Sequence, residues 1–274
     1  MNEPGVNGAD ISLPGAGRSA GVTLLLIPLL IVIIWLLENY LLAGNTRLFW
    51  QASAIGLVLF TVLSVIIVGT LVPVMRIRVS FLSGAVNMFQ IGFRPLRRTL
   101  IAVSLTTLAG FIVLGLSVQG LDWLTGAALF MLLLPTAIAA VMICWVLVGT
   151  HVQAYVRCGG AVISVFTGVL MTALVFAISL SVLFAGLNFR EFVVGFFAAG
   201  CVAAFCFFAV RDVWATVIVV AFSLVILLDS RIDPAYLARF SPVVAFCGIL
   251  TVLVLACVHD YFSRNYTTVL LPGK

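Results

Sequence analysis

Charge is what this chain has least of. Only 8% of its 274 residues are Asp, Glu, Lys or Arg, against 64% hydrophobic residues. A water-soluble domain carries about 25% charged residues. With a mean hydropathy of +1.31, the solvent for most of this chain is lipid. Histidine occurs twice, at His151 and His259, and lysine once, at Lys274; the other basic residues are arginines. The arginines are spread among connecting segments instead of gathered on one face, which argues against nucleic acid as a partner. None of the six cysteines forms a CxxC pair, and most lie inside apolar runs. They read as small buried residues, not as a disulfide framework or a zinc site. His151 and Cys158 lie on one helical face, but two ligands without a carboxylate fall short of a metal site. No metal and no cofactor is expected.

What the chain has in abundance is long apolar runs, at roughly 21–44, 51–75, 99–118, 124–150, 160–186, 191–209, 212–229 and 238–258. Most reach the roughly 20 residues that a helix needs to cross the hydrocarbon core. The runs are continuous, not alternating, which excludes a transmembrane β-barrel. The expected fold is an all-α, polytopic membrane helical bundle of about eight spans. Residues 1–20, rich in Gly, Pro and Asn, predict a disordered tail. Two N-terminal spans occupy 21–75, a basic interfacial linker 76–98, a six-helix core 99–258 and a C-terminal tail 259–274.

Arginine placement orients the bundle. Arg76, Arg78, Arg94, Arg97 and Arg98 follow the second span; placing them in the cytoplasm brings Arg18, Arg157, Arg211, Arg264 and Lys274 to the same side. Arg47, Arg190, Arg231 and Arg239 fall opposite. This bias predicts two cytoplasmic termini in a multi-pass protein of the cell membrane.

Ionisable groups inside spans are costly and mark candidate sites. Few exist here. Glu38 lies near the outer end of the first span, Arg211 and Asp212 in a tight hairpin, and His259 in the predicted tail. The stretch GTHVQAYVRCGG, residues 149–160, sets His151, Gln153 and Arg157 at one helix end. These three form the candidate polar cluster, with Gln153 one turn from the Arg157 guanidinium. The abundant Ser and Thr residues, Ser104, Thr106, Thr107, Thr136, Ser164, Thr167, Thr172, Ser179, Ser181, Thr216 and Ser223, read as hydrogen-bonding within or between helices. No catalytic residue is assigned: acid–base or metal-hydroxide chemistry has too few groups to work with.

The order of features resembles the CAAX-protease and bacteriocin-processing family of intramembrane proteases, over residues 88 to 230. QIGFRPLRRTLIAVSLTTLAG resembles the basic linker before that family's core. VQAYVR stands where the family has Glu-Glu-x-x-x-Arg, so Val152 and Gln153 replace both glutamates and Arg157 remains. FAISL stands for Phe-x-x-x-His, with Phe176 kept and Leu180 in the histidine position. VRDVWATVIVVAFSLV resembles the last core span, with Val220 and Leu224 where His and Asn would be. The resemblance implies a membrane core whose acid and metal-binding positions have become apolar, and so no peptidase activity. It points to a non-catalytic scaffold or accessory subunit, with membrane lipids and other transmembrane subunits as partners. The alternative is a carrier or enzyme for a lipid-like or prenylated substrate, including an intramembrane peptidase.

Overall fold

The computed structural model describes residues 18–43, 53–86, 88–118, 122–156, 160–184, 189–229, 232 and 234–269. Eight long helices account for nearly all of them, and no strand occurs among the described residues. They are α1 (Arg18–Ala43), α2 (Ala54–Leu82), α3 (Leu96–Ser117), α4 (Trp123–Tyr155), α5 (Ala161–Leu183), α6 (Phe189–Val210), α7 (Val213–Leu228) and α8 (Pro234–Val269). Among the described residues, seven helices are long and apolar enough to cross a membrane; α7 is apolar but only 16 residues long. The chain is an all-α polytopic bundle, as its apolar runs predict.

The core is built around α4. This helix is apolar on all sides, and from Leu132 to Gln153 every residue is buried, as expected of a helix surrounded by other helices. It packs against α2, α5, α7 and α8, while α5 pairs with α6 and α7 with α3. Large residues on the outward faces of α1, α3 and α5, such as Ile34, Leu105 and Phe166, stay exposed, which lipid solvates at no cost.

Helix ends obey ordinary capping chemistry. Ser53, Asp122 and Asp212 cap α2, α4 and α7, each accepting a backbone N–H from three residues on. Pro135 lies inside α4 and removes a backbone donor, which frees the Met131 carbonyl. Gly248 of α8 lies against that carbonyl: a Cβ there would sit 3.2 Å from the Met131 oxygen. Two stretches, Thr61–Leu71 of α2 and Val141–Gly149 of α4, are π-helical. Their wider i→i+5 coil is uncommon at this length. Within the first, the Thr70 hydroxyl also reaches back five residues, to the Val65 carbonyl at 2.9 Å.

Three helices run further than the apolar runs suggest. α2 continues to Leu82 through Arg76 and Arg78, so the basic linker starts as helix. Nothing between Pro73 and Gly84 breaks it, and arginine stems can lie along the helix while their heads reach water. α4 continues to Tyr155, which puts His151 and Gln153 inside the helix. α8 continues to Val269, so His259 lies in a helix and not in a tail. No Gly or Pro interrupts that stretch, and an i,i+4 pair, Asp260–Arg264 at 2.8 Å, supports it.

Candidate functional site

The ends of α2, α4 and α8 meet at the arginine-rich end of the bundle. Between α2 and α3 the chain makes one helical turn, Met88–Ile91, then runs extended to Pro95. That segment clasps the corner between α6 and α7. Val213 donates its N–H to the Gly92 carbonyl at 3.0 Å. Arg94 Nε donates to the Arg211 carbonyl at 3.1 Å. Gly92 has φ +88°, and a Cβ there would lie 2.9 Å from the Phe207 ring, so both backbone and packing require glycine.

At the corner itself, Arg211 has φ 56°, the left-handed region that costs an L-residue about 1–2 kcal/mol. This conformation turns the chain sharply enough for Asp212 to cap α7. Asp212 is 1% exposed. Its Oδ1 accepts the Ala215 N–H at 2.9 Å and its Oδ2 accepts the Thr99 hydroxyl at 2.6 Å. The carboxylate therefore ties α3 to α7. The Arg211 guanidinium leaves in another direction. Nη1 donates to Gln153 Oε1 at 2.8 Å, and the group lies 5.2 Å from the Phe208 ring centroid. Burial, and then the nearby positive charge of Arg94, pull Arg211 below the ordinary arginine value.

His151 belongs to a separate pair. Its ring is fully buried; Nδ1 lies 2.7 Å from the Leu147 carbonyl and Nε2 lies 2.8 Å from Ser80 Oγ. A carbonyl can only accept, so Nδ1 carries the proton and, in the neutral ring, Nε2 accepts the Ser80 hydroxyl. This pair ties α4 to α2. His259 makes a third tie: the Trp214 indole N–H donates to its Nδ1 at 3.1 Å, and Phe93 meets the ring edge-on.

Of the predicted cluster, His151 and Gln153 thus make separate contacts. His151 and Gln153, two residues apart on a helix, project about 200° from one another, one toward α2 and the other toward Arg211. The Gln153 oxygen accepts from Arg211 across 58 residues of sequence; Arg157, the partner expected for it, lies outside the described residues. Ser80, Arg94, Thr99, Arg211, Asp212, Trp214 and His259 complete the polar end, and none of them was assigned to the cluster. The one local signal is Asp212 before the apolar run 213–228, which reads as a helix cap. The expected serine and threonine bonding is present in part: Thr106, Thr172, Thr216 and Ser223 each donate to a carbonyl four residues back, whereas the buried hydroxyls of Thr136, Ser179 and Ser181 have no hydrogen-bond partner among the described residues.

Val152, Leu180, Val220 and Leu224, the apolar residues that the resemblance would set at acid, ligand or amide positions, are sealed from solvent. Leu180, Val220 and Leu224 are fully buried, and Val152 nearly so. Among the described residues, no three His, Cys, Asp or Glu side chains converge as a metal site requires. Two apolar grooves of about 330 Å³ each open sideways into the lipid region. One, between α3, α4 and α7, is lined by Phe111, Trp123 and Phe222 among others. The other, between α1, α4 and α5, is lined by Leu29, Val152 and Met171 among others.

The architecture defines a multi-pass integral membrane protein. No protein-family model, no curated protein and no solved structure matches the chain.

Proposed function

We propose that the chain is a non-catalytic protein of the cell membrane, a scaffold or accessory subunit of a membrane complex on a CAAX-protease-like core. The reading places both termini in the cytoplasm and takes lipids and other transmembrane subunits as partners. One observation carries it: four pairs of polar side chains at the arginine-rich end tie helix to helix. Ser80 meets His151, Thr99 meets Asp212, Gln153 meets Arg211 and Trp214 meets His259. A buried group committed to another helix holds geometry, and it is not positioned to take up a substrate proton. The resemblance to that family is drawn from the pattern and order of spans.

The test is solubilisation from the native membrane in mild detergent, followed by native electrophoresis and mass spectrometry. The expected result is a stoichiometric complex with another transmembrane protein, and no cleavage of prenylated peptides by the purified chain. A lone chain that cleaves such a peptide, with loss of cleavage in His151→Ala, overturns it. The carrier reading draws on the groove between α1, α4 and α5, whose apolar walls suit an acyl or prenyl chain. A tightly bound lipid on a chain that purifies without protein partners would favour it.

A further inference from the structure

The two histidines of the chain are wired in opposite ways. His151 sets Nδ1 on a carbonyl and Nε2 on the Ser80 hydroxyl. A hydroxyl can accept as well as donate, so a protonated His151 keeps both bonds. His259 has no such freedom. Its Nδ1 lies 3.1 Å from the Trp214 indole nitrogen, and an indole N–H can only donate. Nδ1 is therefore a bare lone pair, and in the neutral ring the proton sits on Nε2. That second nitrogen is buried and has no hydrogen-bond partner among the described residues. A doubly protonated ring would aim one N–H at another donor and leave the second unmet. Proton uptake and the Trp214 contact exclude one another. The contact sits where three segments meet. Trp214 opens α7, one residue after Val213, whose N–H the Gly92 carbonyl accepts. Phe93 stands nearly perpendicular to the His259 ring at 5.7 Å and stacks at 5.0 Å on Phe262, also of α8. The charged groups around the ring come from each of these segments. Asp212 of the α7 cap and Asp260 of α8 act on it directly. Asp260 pairs with Arg264, Arg94 holds the Arg211 carbonyl, and Arg78 of α2 lies over the Tyr261 ring. Among side chains of these types, histidine is the one that ordinarily titrates between about pH 5 and 8.

We propose that the Trp214–His259 contact is a proton-operated latch between α7 and α8 at the arginine-rich end of the bundle. With His259 neutral the latch is closed, and the indole of α7 is tied to α8. As the pH falls through the His259 titration, the ring takes up a proton and the bond to Trp214 breaks. The start of α7 and the 88–95 segment, joined to each other through Gly92 and Val213, then lose their hydrogen-bonded tie to α8. His259 is 8% exposed and exposed Asp260 follows it in the chain, which gives protons a route from the aqueous side of that end. The latch does not depend on the chain being a scaffold.

The test is nitrogen NMR of the full chain in maltoside micelles, from about pH 8 down to about pH 5. At the upper limit the ring spectra should show His259 with its proton on Nε2 and His151 with its proton on Nδ1; His259→Asn assigns the two signals. As His259 protonates, the Trp214 indole signal, assigned by Trp214→Phe, should move with the same midpoint. Hydrogen-exchange protection at Val213, corrected for the intrinsic pH dependence of exchange, should fall at least about tenfold, the effect of losing one buried hydrogen bond. In His259→Asn the amide oxygen takes the place of Nδ1 and does not titrate, so Val213 should be equally protected at both limits. Trp214→Phe, which lacks the donor, should also lose the pH dependence and serves if His259→Asn does not fold. A proton on Nδ1 at the upper limit overturns the proposal, as does a ring still neutral at the lower one. So does an indole signal or a Val213 protection that ignores the protonation. A pH response retained in His259→Asn assigns it to Asp212 or another group and overturns the latch as well.

Discussion

Arg211 holds two opposed contributions in a single residue. Its left-handed backbone costs about 1–2 kcal/mol, while its bond to Gln153 and its place on the Phe208 ring return a comparable amount. Arg211→Gly should therefore change stability by less than about 1 kcal/mol in the wild-type background. In a Gln153→Ala background the tie is already gone, so the same substitution should stabilise by about 1 kcal/mol. A double-mutant cycle by denaturant or thermal unfolding in detergent reads this difference directly. Strict additivity would mean that Gln153 and Arg211 do not interact. This pairing also shows what sequence could and could not offer at the residue scale. His151 and Gln153 stood out because polar groups at the end of an apolar run are rare. Their partners lay up to 71 residues away, and helical spacing alone pointed Gln153 to Arg157 one turn on. The Arg211 bond is set by how α6 and α7 turn a corner, which no local pattern encodes.

At the scale of elements, the 88–95 segment does more than link α2 to α3. It pins the first two helices to the α6–α7 corner through Gly92 and Arg94. Gly92→Ala must strain a φ of +88° and press a methyl group against Phe207. We expect it to destabilise by at least about 1 kcal/mol and to raise amide exchange in 88–95 and at Val213 before elsewhere. Gly84→Ala, with a similar φ but open space around it, should leave exchange at Val213 unchanged. Uniform exchange across the bundle in Gly92→Ala would show that the clasp is not a local unit. The helices themselves were legible because unbroken apolar runs can satisfy their backbone in lipid only as helix. Their ends were less so. Arg76, Arg78 and His259 read as loop or tail because charge and apolar spans are normally exclusive, yet a helix can carry both once it leaves the hydrocarbon. The π-helical stretches left no trace in the sequence; in the first of them Gly69 lies close to Ala139 of α4.

For the whole molecule, the arginine bias makes a directional statement. Cysteine placed at Ser83, in a cysteine-free background, should react with an impermeant maleimide only from the cytoplasmic side, and cysteine at Leu124 only from the opposite side. Labelling of Ser83→Cys from outside intact cells would invert the topology. The lengths of the helices carry another consequence. At about 1.5 Å per residue, the 33 residues of α4 and the 29 of α2 measure about 50 and 43 Å, against a hydrocarbon thickness of about 30 Å. An ordinary tilt of about 20° shortens them by only a few per cent. At the start of α4, exposed Trp123 marks one membrane surface, as interfacial aromatics do. The surplus length must then emerge at the other, where α2, α4 and α8 end together. The molecule is therefore expected to be lopsided in a bilayer, nearly flush on one side and standing proud on the other by roughly 10–20 Å. Atomic force microscopy of single molecules in supported bilayers should find two heights according to insertion direction, and anything that binds the taller side meets it above the lipid headgroups.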